Sequence, residues 1–190
     1  DPRQAEDLAR LVTEVQGVAP TATGSPILFW ASGEAVVQAF REALLLATLG
    51  VGLVVWLTLR RLPLTLLVLA PLGLGGLLTV ALMTLLGLPF NFANIIALPL
   101  LLGIGVDSGI HVVQGYRAGL APAELLSGRV ARGIFFSALT TLAGFGNLAF
   151  APHPGTAGLG LLLAIGLVVT LFCTLLVLPA LIVWLAPRRA

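Results

Sequence analysis

The chain alternates long apolar runs with short polar breaks. A helix that crosses a bilayer needs about 20 mainly apolar residues, and five runs are long enough. They cover residues 36–59, 62–86, 92–116, 134–150 and 155–186. The pattern therefore predicts an all-α membrane protein with five transmembrane helices, in which residues 34–190 form the transmembrane domain.

Composition strengthens this prediction and removes other classes of protein. The chain is 58% hydrophobic and 9% charged, whereas soluble domains average about 45–50% apolar and about 25% charged residues. Its ten basic residues are all arginine and are scattered, which argues against a nucleic-acid partner. The sequence contains no metal-ligand spacing, catalytic triad or phosphate-binding loop. It therefore predicts neither an enzyme nor a metal site.

Residues 1–33 precede the first apolar run and have a pattern of their own. The spacing of an amphipathic helix is followed by Leu8, Leu11, Val12 and Val15. Residues 26–32 are expected to be extended. An α/β segment this short cannot bury a core, so we expect it to be the remnant of an extramembrane domain. No export signal precedes it, so we expect the chain to be the C-terminal part of a larger protein.

Arginine marks alternate connections between the runs. Three segments carry it, at Arg60 and Arg61, at residues 117–132, and at Arg188 and Arg189. The intervening connections, residues 87–91 and 151–156, carry none. Short cytoplasmic loops collect arginine, which predicts an external N-terminus and a cytoplasmic C-terminus. The arginine-containing middle connection also predicts a short surface helix over residues 122–132.

One ionisable residue, Asp107, lies in the middle of the third run. Insertion scales put the cost of a charged residue there at roughly 2.5–3.5 kcal/mol, and such residues are usually functional. Gly103, His111 and Gln114 share its helix face. A neutral, hydrogen-bonded acid that only joins helices is the structural alternative. Desolvation favours the neutral form of a carboxyl group, so the same residue is suited to bind and release a proton.

Small and hydroxyl-bearing residues surround this acid in the sequence. Gly105 and Gly109 are spaced to let a neighbouring helix approach closely. In the fourth run, Ser137, Thr140 and Thr141 can bond a carboxylate or pass a proton. The same hydroxyls can instead bond their own helix backbone, and both interpretations stay open. His111 can either pair with Asp107 or lie at the cytoplasmic interface.

Two stretches carry a resemblance to a known family. "NFANIIALPLLLGIGVDSGIH" and "SALTTLAGFGNLAF" resemble the second transmembrane half of RND-superfamily transporters of the MMPL-like group. The first stretch is most similar to the hopanoid-biosynthesis-associated RND transporters. The resemblance implies spans eight to twelve of a twelve-span architecture, with residues 1–33 as the end of a periplasmic porter-like domain. It also implies a location in the bacterial inner membrane.

The resemblance further implies an activity. The family's members use the proton-motive force to export lipids from the inner membrane toward the outer membrane, so protons are the expected coupling ion and no other cofactor is expected. The expected partners are the bilayer, a lipid substrate such as a hopanoid, and the missing N-terminal half; a homo-oligomer is left open.

The resemblance also assigns roles to individual residues. Asp107 matches the proton-relay acid of the tenth span, within a G-x-x-x-D element that begins at Gly103. Thr140 and Thr141 match hydroxyl positions of the eleventh span. Many MMPL relatives have Asp-Tyr where this chain has Asp107-Ser108, so Ser108 would have to replace the tyrosine hydroxyl.

Two other functions fit the same pattern. A non-transporting module similar to sterol-sensing domains would bind a lipid and report its level. A SecDF-like assistant would couple the same proton site to protein export.

Overall fold

The computed structural model describes residues 2–91 and 94–185, with side chains from residue 7 onward. The chain divides between Ala43 and Leu44 into two compact units. The described residues are almost entirely helical and contain no strand. The predicted start of the third run at Phe92, the end of the fifth run at Ala186, and Arg188 and Arg189 lie outside the described residues.

Eight α-helices follow one another along the described part of the chain. They are α1 (Pro2–Val18), α2 (Ser25–Leu59), α3 (Leu62–Leu85), α4 (Ala97–Arg117), α5 (Pro122–Ser127), α6 (Arg129–Gly146), α7 (Pro154–Phe172) and α8 (Leu178–Leu185). A short 3₁₀ turn, Asn147–Phe150, extends α6, and a π-helical turn, Cys173–Val177, joins α7 to α8.

Within residues 2–91 and 94–185, five helical segments are long and apolar enough to cross a membrane, as the sequence predicts. They are Ser25–Leu59, Leu62–Leu85, Ala97–Arg117, Pro122–Phe150 and Pro154–Leu185. Together with the relatives described below, they make this a multi-pass membrane protein.

The predicted α/β remnant at the N-terminus is wrong. Residues 26–32, expected to be extended, form the first turns of α2, which begins at Ser25. A lone strand leaves its backbone N–H and C=O groups without partners, whereas a helix pairs them internally. Pro26 is compatible with a helix that begins at Ser25, because proline is well tolerated in the first turn of a helix.

The boundaries around the fourth run also differ from the prediction. The expected surface helix over residues 122–132 ends at Ser127, because Gly128 is extended and interrupts it. A new helix, α6, then begins at Arg129 rather than at residue 134. The arginine side chains at 129 and 132 therefore belong to the first turn of a candidate spanning helix. Long arginine side chains can reach the interface from such positions.

The core of the second unit is built around α3 and α4, which contribute residues to both of its buried clusters. The larger buried cluster contains Val55, Leu59, Leu67, Val68, Val112, Val113, Leu125, Ile134, Leu178 and Ile182. A smaller one contains Met83, Ala97, Leu162 and Leu163. In contrast, α6 buries only Ala131 and Ile134. Helix α4 is therefore held firmly on its inner side, while α6 lies at the edge of the bundle.

Candidate functional site

Asp107 lies on an exposed face of α4. Its side chain is 71% exposed, and that of His111, one turn later, is 58% exposed. The Asp107 Oδ1 to His111 Nε2 distance is 3.5 Å, which the i, i+4 spacing of a helix allows. Gly103 and Gln114 are exposed on the same side of α4. The structure therefore places the predicted polar residues together on one continuous face.

The opposite face of α4 is closed by close contacts. A Cβ atom at Gly105 would lie 2.6 Å from Leu72 Cδ1 of α3 and 2.7 Å from Thr170 Cγ2 of α7. At Gly109, it would lie 2.9 Å from Val68 Cγ1 of α3. A Cβ at Gly103 would meet nothing within 4 Å. Two of the three predicted packing glycines thus lie in tight contacts within this chain, and Gly103 does not.

An open cleft of about 410 Å³ separates the polar face of α4 from α6. Asp107, Ser108 and His111 line it from α4. From α6, the lining residues are Arg129, Val130, Gly133, Ile134 and Ser137. An acid, an imidazole, a guanidinium and two hydroxyls therefore line this open cleft.

Arg129 is a part of this cleft that the sequence prediction missed. The sequence pattern predicts it as a cytoplasmic charge in a surface helix, whereas Gly128 separates it from that helix and places it in α6. Arg129, Gly133 and Ser137 are four residues apart along α6, which puts them on one side of a helix. That spacing is the signal that could have linked the arginine to the predicted hydroxyl.

A smaller cavity of about 30 Å³ lies deeper, between α4, α6 and α7. Asp107, Ser108 and Ser137 line it as well as the cleft, and Thr141 joins them. Thr170 and Thr174 line it from the last span. Neither threonine was predicted, although two threonines spaced i, i+4 in an otherwise apolar run share one helix side.

The two threonine hydroxyls of α6 bond to their own helix. Thr140 Oγ1 donates to the Ser137 carbonyl oxygen at 2.8 Å, and Thr141 Oγ1 donates to the same oxygen at 2.9 Å. This is the backbone alternative that the sequence left open. Thr140 is exposed and lines neither the cleft nor the cavity, whereas Thr141 reaches the cavity. A proton-relay role for these residues stays a prediction.

No group of three or more His, Cys, Asp or Glu side chains lies close enough to hold a metal ion, within residues 7–91 and 94–185.

Comparisons with known proteins identify relatives over nearly the whole chain, although no family model matches it. It is 44% identical over 181 residues, 95% of its length, to the hopanoid transporter HpnN of Rhodopseudomonas palustris. It is 38% identical over the same share to HpnN of Burkholderia multivorans. The similarity confirms the resemblance to hopanoid transporters that the motifs indicated.

The lengths of these relatives differ greatly from that of the chain. The chain spans about a fifth of the two hopanoid transporters, 21% and 20%. A Methanocaldococcus jannaschii protein, whose name describes it only as a membrane protein, is 28% identical over 174 residues. That match covers 88% of the chain and 45% of the relative.

Proposed function

We propose that the chain is part of the transmembrane domain of an RND-type lipid exporter driven by the proton-motive force. The exporter would move hopanoids or similar lipids from the bacterial inner membrane toward the outer membrane. Similarity over 95% of the chain to proteins named as hopanoid transporters supports this cargo class. Because those relatives are about five times longer, we infer that the remaining spans and the lipid-contacting domains come from outside this chain.

The observation that carries the proposal is the position of Asp107. It is a carboxylate in a helix that is apolar enough to span a membrane, and it borders a cleft of about 410 Å³. A charge is tolerated at membrane depth when it faces water or other polar groups. Arg129, at the first turn of α6, lines the other wall. We infer that water reaches the carboxylate through this cleft.

Protonation of Asp107 would then change what α4 presents to its surroundings. The charged form needs water or a cation beside it, whereas the neutral form is tolerated against protein or lipid. Loading and unloading the proton from opposite sides would favour two arrangements of this face in turn. A proton that crosses 100 mV releases about 2.3 kcal/mol, which biases a two-state equilibrium about fiftyfold.

The orientation that we propose follows the arginines. Arg60 and Arg61, together with the 117–132 connection, would face the cytoplasm, which places the N-terminus of this segment in the periplasm. In that orientation Arg129 marks the cytoplasmic mouth of the cleft. Protons that enter from the periplasm would therefore leave Asp107 through this mouth.

The test measures lipid transfer by the whole protein in liposomes with an imposed proton gradient. Labelled hopanoid is followed as it leaves the donor liposomes for acceptor vesicles. Asp107→Asn, which removes the titratable group at nearly constant size, should lower the gradient-dependent rate by about a hundredfold or more. An uncoupler should lower the wild-type rate to the same level.

A matched control is the same chemical change in another helix. Glu42 lies in α2, and its Oε1 accepts a hydrogen bond from Gln38 Nε2 at 3.0 Å. Glu42→Gln should leave transfer within about twofold of wild type. If transfer survives both Asp107→Asn and the uncoupler, the proton-driven mechanism is wrong. If lipid binding persists without any gradient-dependent transfer in the wild type, a lipid-sensing module becomes the better assignment.

A further inference from the structure

The last span changes its backbone geometry partway along its length. The π-helical turn, Cys173–Val177, joins α7 to α8, and the Leu178 N–H donates to the Cys173 carbonyl oxygen, five residues back. In an α-helix the same N–H would bond the Thr174 carbonyl oxygen, four residues back. Pro179 comes next, and in an α-helix a proline ring collides with the carbonyl four residues before it. This collision accounts for the widened turn.

The π turn leaves the backbone carbonyl of Thr174 open. The N–H of Leu178, four residues later, is bonded to Cys173. The residue five positions later is Pro179, which has no N–H to donate. The two positions that would normally pair this oxygen within a helix are therefore unable to do so. Because lipid offers no hydrogen-bond donor, an open carbonyl in a spanning helix needs a partner from a side chain or from water.

Contacts one turn before and one turn after Thr174 show which way this oxygen faces. On one side, Thr170 Cγ2 lies 2.7 Å from where a Cβ atom of Gly105 would be. On the other, Leu178 is buried, and its Cδ2 lies 3.9 Å from the Cβ position of Gly109. A helix carbonyl lies on the same side as the side chain four residues later. The Thr174 oxygen therefore lies on the side of the last span that faces α4, at the level of the proposed proton site.

A small cavity joins this side of the last span to Asp107. It measures about 30 Å³, and both Asp107 and Thr174 line it. One water needs roughly 10–15 Å³, so the cavity has room for one. Asp107 and the last span therefore share a space in which a hydrogen bond can form directly or through one water molecule.

The chemistry of an open carbonyl suits one protonation state of the acid. A carboxylate only accepts hydrogen bonds, whereas a protonated carboxyl group also donates one. A backbone carbonyl oxygen only accepts, so it can partner the protonated acid and can offer nothing to the carboxylate. The hydroxyls of Ser137 and Thr141, which line the same cavity, can both donate and accept. The carbonyl therefore distinguishes the two forms of Asp107 in a way that a hydroxyl does not.

We propose that the Thr174 carbonyl oxygen accepts a hydrogen bond from protonated Asp107, directly or through one water in the cavity. Pro179 is then the positioning residue that keeps this oxygen available. The bond itself is a claim about α4 and the last span alone. Its part in lipid transfer rests on the proposed function, because there the proton links these two helices while Asp107 is loaded and the link is lost when the proton leaves.

The first test concerns the bond and does not depend on transport. The structure of the whole protein is determined in lipid nanodiscs, at a pH low enough to protonate Asp107 and at a resolution that shows ordered water. We expect the Thr174 oxygen to lie within hydrogen-bonding distance of the acid or of a water that the acid also contacts. A Thr174 oxygen bonded only within its own helix would overturn the proposal.

Pro179→Ala tests the assigned cause. The alanine restores an N–H, so the turn should become a regular α-helix in which Leu178 bonds the Thr174 oxygen. Infrared spectra then give a signature that a merely structural role would not produce. The carbonyl stretch of protonated Asp107, identified by its absence in Asp107→Asn, should move to higher frequency when the acid loses this acceptor. A π turn that persists in Pro179→Ala, or an unmoved band, would overturn the role of Pro179.

Pro71→Ala is the matched control. Pro71 is buried inside α3, so its replacement also returns an N–H to a spanning helix, but Pro71 lies outside the lining of the cavity. Pro179→Ala should lower proton-driven lipid transfer by roughly two- to twelvefold, the range that one net hydrogen bond represents. Pro71→Ala should leave both the transfer rate and the infrared band near wild type. Equal losses in the two variants would show that the effect of Pro179 is not specific to the acid.

The two proposals fail in different ways. Unchanged transfer in Pro179→Ala, with Asp107→Asn inactive, would overturn the part of Pro179 in transfer and leave the proposed function standing. Unchanged transfer in Asp107→Asn would overturn the proposed function, and the infrared band and the structure would still decide whether the bond to Thr174 exists.

Discussion

The two faces of α4 differ in what covers them. On one face, Gly105, Gly109 and Val112 are buried in contacts with neighbours inside the chain. On the other, Asp107 and His111 remain exposed within the same few turns. The inner face is apolar and small, whereas the outer face carries the acid, an imidazole and an amide.

Contacts within the chain cover the inner face of α4, whereas they leave its outer face uncovered. Apolar contacts on the inner face form with neighbouring helices of this chain, among them α3, α7 and α8. A polar face cannot lie against hydrocarbon without a large cost. We therefore infer that water, or protein from outside the described residues, lies against the outer face. The proposed proton site lies on this outer face.

The largest expected difference between the faces is in access by water-soluble reagents. In a version of the whole protein without other reactive thiols, His111→Cys should react quickly with a charged thiol reagent. Val112→Cys, one residue away and fully buried, should react on the order of a hundredfold more slowly, since reaction there needs local opening. The measurement is the labelling rate of each variant in membranes.

The labelling comparison has a clear opposite result. If both cysteines react slowly, protein covers the cleft and water does not reach Asp107 by that route. The native Cys173 is 3% exposed and is replaced by serine in both variants, so that only the introduced thiol is measured.

The next effect is on the free energy of unfolding. Replacing a glycine of α4 by alanine should lower it on the inner face and raise it on the outer face. Gly105→Ala places a methyl against Leu72 and Thr170. The leucine methyl can move, but the threonine is β-branched and stiff. We expect a loss of about 1–3 kcal/mol in the free energy of unfolding, measured as a lower melting temperature in detergent.

Gly103→Ala is the matched change on the outer face. A methyl there meets open space, and alanine is favoured over glycine within a helix by roughly 0.5–1 kcal/mol. The melting temperature should therefore rise slightly. If Gly103→Ala is as harmful as Gly105→Ala, another part of the whole protein lies directly against this glycine, and the outer face is a contact rather than a water-lined surface.

A third comparison uses two adjacent threonines of α6. The hydroxyls of Thr140 and Thr141 both donate to the Ser137 carbonyl oxygen. Valine at either position should therefore change the free energy of unfolding by almost the same amount. Only Thr141 lines the cavity beside Asp107. We expect Thr141→Val to lower lipid transfer by roughly two- to twelvefold, and Thr140→Val to change it by less than about twofold. Equal losses would show that the cavity does not distinguish them.

Much of the fold follows from local pattern. The five apolar helices were predicted because runs of this length are readable without tertiary information. The strand expected over residues 26–32 was wrong because a short apolar run fits strand and helix equally. The structure resolves this choice in favour of a helix, which continues through Glu34 and Arg41.

The sequence predicted the candidate residues of α4 from spacing within one helix, and it also predicted Ser137 and Thr141 of α6, which line the cleft or the cavity beside Asp107. Asp107 and His111 share a face of α4 because of spacing along the sequence. Arg129 and Thr170 were missed because their place beside Asp107 depends on which helices are neighbours. Spacing along α6 links Arg129 to Ser137, but it does not show that α6 lies beside α4, since contacts between helices are tertiary.

The smallest expected effect concerns Asp107 and His111, whose pairing follows directly from their i, i+4 spacing in the sequence. His111 Nε2 lies 3.5 Å from Asp107 Oδ1, but both side chains are more than half exposed. Exposed pairs of this kind contribute little, because water screens the charges and two side chains lose freedom. His111→Gln should therefore change lipid transfer by at most about twofold. The rate is measured under the same imposed gradient as for Asp107→Asn.

A large loss of lipid transfer in His111→Gln would show that His111 matters more for transfer than the cavity residues do. It would mean that the imidazole itself carries the proton, and that the path leaves Asp107 along α4. A small loss, together with a larger one in Thr141→Val, would instead place the path toward α6 and the last span. The comparison of these two variants therefore decides whether the outer face of α4 acts alone or through the cavity behind it.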